Sequence, residues 1–191
     1  MNNPSFLKEI DTTWSLFLDR DGVINRRLPG AYVCEWEEFH FLEGVLHAMA
    51  LLNSRFQRIF IVTNQQGIGK GLMTEADLAH IHRRMYESIR ESGGRVDAIY
   101  HSPALAGSSD LWRKPEPGMA LKAKSEFPEV DFSRSLMVGD APSDMEFGQR
   151  LGMKTIWIDS EEETTPPADI ISGRFSSLLH FARTVLEGTA G

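Results

Sequence analysis

The residues best suited to chemistry are Asp19 and Asp21, which directly follow the apolar run Trp14 to Leu18 in the segment FLDRDGVIN. With one residue between them, both carboxylates can point to the same side where a strand ends. Aspartate suits a strand poorly, so the chain accepts a cost there. An arbitrary D-x-D is usually a solvated turn; this pair differs because it closes a run apolar enough to be buried. A second run ends the same way, in LMVGD, with Asp140 at its tip and Ser143 and Asp144 opening the next helix. Carboxylates gathered like this repel one another and hold protons more tightly unless a cation neutralises them, and Mg²⁺ takes one or two carboxylates with water and phosphate oxygens. Asp144 has a structural explanation of comparable weight, since an acid in a helix's first turn stabilises it.

Two more strand ends supply groups for an anion. In IVTNQ, the Thr63 hydroxyl and the backbone N–H groups of the turn at Asn64 can donate to phosphate oxygens, although a Thr-Asn at a strand end is commonly an ordinary turn. In RKPEPG, prolines stiffen the chain and could fix Lys114 toward the acids, where otherwise it would simply be solvated. The stretch Gln66 to Gly71 (QGIGKG) is not a nucleotide-binding loop, because Gly71 stands where a P-loop needs Ser or Thr and G-x-G-x-x-G is absent. Its glycines read as a loop free to pass close to the site, with Lys70 as a candidate substrate contact.

The elements that must position these groups follow from hydrophobic patterning. Short apolar runs at Trp14 to Leu18, Arg58 to Val62, Ala98 to Tyr100, Leu136 to Val138 and Thr155 to Ile158 read as buried strands. Helical spacing lies between them, clearest over 74–92, where Leu78, Ile81, Met85 and Ile89 share a face, Thr74 caps the start and Gly93-Gly94 ends it. Further helices are predicted over 44–54, 117–127, 143–151 and 175–186. Strictly alternating strands and helices predict an α/β fold, a three-layer Rossmann-like parallel sheet that binds ligands beyond the carboxyl ends of its strands. The stretches 25–40 and 103–112 look irregular, and Ser160 to Ala168 reads as an acidic surface connection with no sign of a domain boundary, so 1–191 is expected to be one domain.

Composition narrows the partners. The chain has 191 residues, 41% of them hydrophobic, enough for one substantial core. Its formal charge of −7, without long runs of either sign, argues against nucleic acid or an anionic membrane surface, so an anionic substrate must be drawn in by local devices. The single cysteine, Cys34, excludes an intramolecular disulfide and any zinc site of several thiolates. No basic leader and no membrane-length apolar stretch is visible, and the expectation is a soluble, cytoplasmic monomer.

In this order, FLDRDGVIN, IVTNQ, RKPEPG and MVGDAPSDM resemble the four motifs of the haloacid dehalogenase (HAD) phosphatases. The resemblance implies the HAD fold, an aspartyl-phosphate mechanism and Mg²⁺ held by Asp19, Asp21 and Asp140. It makes Asp19 the nucleophile and Asp21 the general acid and base, gives Thr63 and Asn64 the transferring phosphoryl group, and sets Lys114 between Asp19 and phosphate. Asp19 would raise the proton affinity of Asp21 and the metal would lower it. Within the superfamily, DRDGVIN, Gly30 to Val33, Phe39, Phe41-Leu42, VTNQQGIGKG and RKPEPGM resemble the D-glycero-D-manno-heptose 1,7-bisphosphate phosphatases and histidinol phosphatases.

Many members of that branch carry a zinc-binding loop before the lysine motif, but HSPALAGSSDLWRKP has only His101, so this loop is expected to be held by packing of Leu105 and Trp112. About 50 residues between Thr63 and Lys114 leave no room for a large cap domain, and the site should be open. Arg26, Arg27, Lys70 and Arg113 are candidates for contacting a second phosphate, which favours the heptose bisphosphate, with removal of its 7-phosphate, over histidinol phosphate. A polynucleotide 3′-phosphatase fits the acidic balance less well. A phospho-accepting receiver domain would show similar acids, but Asp21 argues for turnover.

Overall fold

A computed structural model describes residues 4–159 and 166–188, so the expected connection at Ser160 to Ala168 lies outside the described residues up to position 165. Six parallel strands form one sheet: β1 (Ser15–Leu18), β2 (Arg58–Asn64), β3 (Ala98–Ser102), β4 (Ser135–Gly139), β5 (Lys154–Ile158) and β6 (Gly173–Phe175), in the order β3-β2-β1-β4-β5-β6. The helices are α1 (Val45–Asn53), α2 (Gln66–Gly69), α3 (Glu75–Glu91), α4 (Gly118–Glu126), α5 (Pro142–Arg150) and α6 (Leu178–Glu187). They cover both faces of the sheet, which is the three-layer α/β arrangement expected. No helix among the described residues is long and apolar enough to cross a membrane.

Pleating sends alternate strand residues to opposite faces. Phe17, aligned with Phe60 and Met137, packs against Met119, Ala120 and Ala123 of α4 and Phe147 of α5. Leu16, Leu18, Ile61 and Val138 face the larger core formed with α1, α3 and α6. Burying such side chains is worth about 1.5–3 kcal/mol each, and a one-residue slip of a strand would exchange its two faces. That register therefore sets the height at which Asp19, Thr63 and Asp140 leave the sheet. In α3 the cap predicted at Thr74 is present, and the structure completes it as a capping box with Asp77: the Thr74 hydroxyl accepts from Asp77 N–H at 3.2 Å while the Asp77 carboxylate accepts from Thr74 N–H at 2.8 Å.

Three expectations are corrected. The final helix begins at Leu178 rather than at Phe175, because Phe175 ends the short edge strand β6 and Ser177 caps α6 by accepting from His180 N–H at 3.1 Å. The QGIGKG stretch is not a free loop: Gln66–Gly69 forms a helical turn, and a Cβ at Gly69 would lie 2.4 Å from the Pro103 carbonyl oxygen, so close packing is what requires glycine there. The 103–112 loop is not ordered by apolar packing, since Leu105 and Trp112 remain 44% and 40% exposed. Its order comes from Asp110, whose Oδ1 accepts from the N–H groups of Trp112 (2.8 Å) and Arg113 (3.0 Å), and from Arg113, which donates to the Ala104 carbonyl at 2.9 Å. A short polar network can organise a loop too exposed to bury its apolar side chains.

Candidate active site

The buried side chains at the carboxyl edge of the sheet converge on Lys114. Its ammonium lies 2.8 Å from Asp19 Oδ1, 2.6 Å from Asp144 Oδ1 and 2.8 Å from the Val62 carbonyl oxygen. Burial alone would favour the neutral amine, but Asp144 and Asp19 outweigh it and hold the lysine above its usual proton affinity. The charge is therefore kept. Asn64 sets the lysine's position through two hydrogen bonds to its main chain: Oδ1 accepts from Lys114 N–H at 2.9 Å, and Nδ2 donates to Lys114 O at 3.1 Å.

Asp19 follows β1, its N–H donating to the Val138 carbonyl at 2.9 Å. Carboxylate oxygens of Asp19, Asp140 and Asp144 all lie within 4.8 Å of one another, and all three residues are buried. Burial pushes the Asp19 carboxyl up to about 6, with the charges of Asp144 and Asp21 adding to it against Lys114. The Asp140 carboxyl is pushed up to about 8 by burial, opposed by Arg27 and reinforced by Asp19 and Asp144. Asp140 Oδ2 is buried without a hydrogen-bond partner. Gly22, at φ +95°, lets the chain pass so close that a Cβ there would sit 1.9 Å from this oxygen. An unpartnered buried oxygen beside repelling carboxylates fits a hard divalent cation. Asp144 fills the helix-start role expected of it, Oδ2 accepting from Ala141 N–H at 3.0 Å at the start of α5, and the structure adds an ion pair from its Oδ1 to Lys114.

The Asp21 carboxyl faces another way. Its Oδ1 accepts from Arg20 Nη2 (2.8 Å) and Asn25 Nδ2 (2.9 Å), and its Oδ2 accepts from Gln65 Nε2 (2.8 Å). Burial pushes this group up, but Arg20 and the hydrogen bonds outweigh it and hold it below the usual carboxylate range. The main-chain oxygen of Asp21 instead joins the acid cluster, since Arg27 Nη2 lies 3.1 Å from it and 2.8 Å from Asp140 Oδ1.

A cleft of about 440 Å³ opens above these groups and is lined by Asp19, Asp21, Thr63, Asn64 and Lys114 together with Arg27, Lys70 and Arg113. The Thr63 hydroxyl accepts from Gln65 Nε2 at 2.8 Å, and Lys70 donates to the Tyr32 hydroxyl at 2.8 Å. Arg26 is exposed and does not line the cleft, and His101 lies 2.8 Å from Glu75. Sequence reasoning assigned no role to Gln65, Arg20, Asn25 or His82. Arg20, 1% exposed, reaches His82 Nε2 at 3.3 Å. Burial, Arg20 and His101 push the His82 ring down to about 3, so it stays neutral and can accept from Arg20. The only signal for Gln65 was its place beside Thr63-Asn64, and for Arg20 its place between the two acids.

Known proteins place this arrangement in a family. A family model described as HAD-hydrolase-like matches residues 111–173. The D-glycero-alpha-D-manno-heptose-1,7-bisphosphate 7-phosphatase of Mycobacterium tuberculosis is 38% identical over 138 residues, covering 72% of this chain and 73% of the relative. The enzyme of the same description from Campylobacter jejuni is 38% identical over 151 residues, covering 79% and 85%. The crystal structure of D,D-heptose 1,7-bisphosphate phosphatase from B. bronchiseptica, complexed with magnesium and phosphate, superposes with a TM-score of 0.82 at 28% identity, covering 91% of this chain and 98% of that one. With the identity and coverage of these relatives, and a shared fold over nearly the whole chain, the chain belongs to the HAD-like phosphatases, in the branch of the heptose bisphosphate phosphatases.

Proposed function

We propose that the protein is a Mg²⁺-dependent phosphomonoester hydrolase that removes the 7-phosphate of D-glycero-D-manno-heptose 1,7-bisphosphate through an aspartyl-phosphate at Asp19. The observation that carries the reading is the buried Lys114 ammonium, 2.8 Å from Asp19 and 2.6 Å from Asp144 at the base of the cleft. The carboxylates of Asp19 and Asp140 and the main-chain oxygen of Asp21 would hold Mg²⁺, whose charge offsets the repulsion between an anionic carboxylate and an anionic phosphate.

Lys114 neutralises Asp19 from one side and leaves its other oxygen to attack phosphorus. Thr63 and the N–H groups of its turn bind the phosphoryl oxygens, while Asn64 holds Lys114 in place. The bond from phosphorus to the sugar oxygen breaks, and Asp21 gives that oxygen a proton. Asp21 then takes a proton from the water that attacks the aspartyl-phosphate, which releases inorganic phosphate and restores Asp19. Arg20 favours the ionised, proton-accepting Asp21 of this second step. For the first step Asp21 would turn from Arg20 toward the leaving oxygen, where loss of that pairing raises its proton affinity and lets it take from solvent the proton that it then gives. General acid–base help of this kind contributes on the order of 10²- to 10⁴-fold.

The substrate reading is supported by the names of the relatives and by three cationic side chains around the cleft, Arg27, Lys70 and Arg113, which suit a second phosphate. The free thiol of Cys34 supports a reducing, cytoplasmic setting. The test is kcat/KM for heptose 1,7-bisphosphate against histidinol phosphate and simple sugar monophosphates in the presence of Mg²⁺. The bisphosphate should lead by on the order of tenfold or more, and a lead for histidinol phosphate would overturn the substrate assignment.

A further inference from the structure

Arg27 lies in the irregular segment after β1 and lines the cleft, its side chain 31% exposed. Its Nη2 is nevertheless drawn inward, 2.8 Å from Asp140 Oδ1, 3.1 Å from the Asp21 carbonyl oxygen and 4.0 Å from Asp19 Oδ2. These are the three groups assigned above to Mg²⁺. A guanidinium and a divalent cation cannot share those oxygens, since like charges so close together repel strongly.

We infer that Arg27 is an internal counter-cation that competes with Mg²⁺ for its oxygen ligands and, once displaced, turns outward to meet the anionic end of the substrate. The inference rests on the phosphatase reading and deepens it. Without a divalent ion, Arg27 screens acids that would otherwise repel one another. When the ion binds, the long flexible arginine side chain swings into the cleft beside Lys70 and Arg113, where an anion favours the outward position. Metal and anion then help each other bind, and the coupling is reciprocal.

The experiment titrates Mg²⁺ alone into metal-free protein by calorimetry, using wild type, Arg27→Ala and Arg26→Ala. Arg26 is the control because it carries the same charge on an exposed neighbouring residue. Arg27→Ala should bind Mg²⁺ on the order of tenfold more tightly than wild type, with Arg26→Ala unchanged. Repeating the titration with inorganic phosphate present should tighten Mg²⁺ binding to wild type by a clearly larger factor than to Arg27→Ala. Unchanged or weaker binding to Arg27→Ala overturns the inference, as does an equal gain in Arg26→Ala, which would reveal only a general field effect. If none of the three proteins binds Mg²⁺ and wild type releases no phosphate from a phosphoester, the phosphatase reading falls as well. Unchanged affinity with wild-type turnover intact removes only the role given to Arg27.

Discussion

The side-chain amide of Asn64 grips the main chain of Lys114 at both its N–H and its carbonyl, at 2.9 and 3.1 Å, across 50 residues of sequence. The tip of β2 is thereby tied to the loop that carries the only ammonium between Asp19 and Asp144 among the described residues. In the proposed mechanism Asn64 would therefore act on the phosphoryl group through Lys114 as well as through the turn it occupies.

Asn64→Ala should therefore lower kcat more than it raises KM. A displacement of the lysine on the order of 1 Å is enough for a loss of about 100-fold. Steady-state kinetics with a simple phosphoester checks this. An effect confined to KM would mean that Asn64 only binds substrate.

Gly22 should tolerate no side chain. At φ +95°, with a Cβ falling 1.9 Å from Asp140 Oδ2, Gly22→Ala displaces a cluster acid and strains the turn, at a cost of about 1–3 kcal/mol for the backbone alone. Thermal unfolding with and without Mg²⁺ reads both effects. The variant should melt lower and gain much less than wild type from the metal.

The raised carboxyls give the metal-free protein a defined pH dependence. Asp140, pushed from 3.8 up to about 8, holds a proton in the folded state that the unfolded chain has already lost. Stability therefore falls as pH rises through that value, by up to about 1.4 kcal/mol per pH unit for one proton. Asp19, at about 6, acts in the same sense at lower pH, but there His82, pushed from 6.5 down to about 3, opposes it, since the unfolded chain gains a proton that the buried ring refuses. The clear decline should lie between about pH 6.5 and 8 and should flatten when Mg²⁺ replaces the protons. Denaturant melts across that range, with chelator or with Mg²⁺, check it. Stability that rises with pH in chelator would contradict the cluster's electrostatics.

Much of this site was legible because the strand pattern is strong. Apolar runs that stop at Asp19, Thr63 and Asp140 fixed which groups share the carboxyl edge, and Thr74, Leu78, Ile81, Met85 and Ile89 fixed α3. What was not legible depends on tertiary approach. His82 adjoins the apolar face of α3, and nothing in its spacing shows that its ring meets Arg20 from another element. Gln65 reads as a turn residue until the fold sets its amide between Asp21 and Thr63. Strand β6 spans three residues, too short for an alternation to show, and its Phe175 was absorbed into the following helix.

The direction of the Asp21 carboxyl has the same origin. Two acids one residue apart can share a side of a strand, yet here Arg20, Asn25 and Gln65 turn one of them away from the cluster, while its main-chain oxygen stays. The choice was made by partners that sequence spacing does not reveal.

The most direct measurement is chemical trapping of the intermediate. Enzyme mixed with heptose 1,7-bisphosphate and Mg²⁺ is acid-quenched during turnover and treated with borohydride, which reduces an aspartyl-phosphate to homoserine, and the peptides are then sequenced by mass spectrometry. Homoserine is expected at position 19 in wild type and not in Asp19→Asn, which should keep its fold and release no phosphate. Modification at another residue, or phosphate release by Asp19→Asn at the wild-type rate, would contradict it.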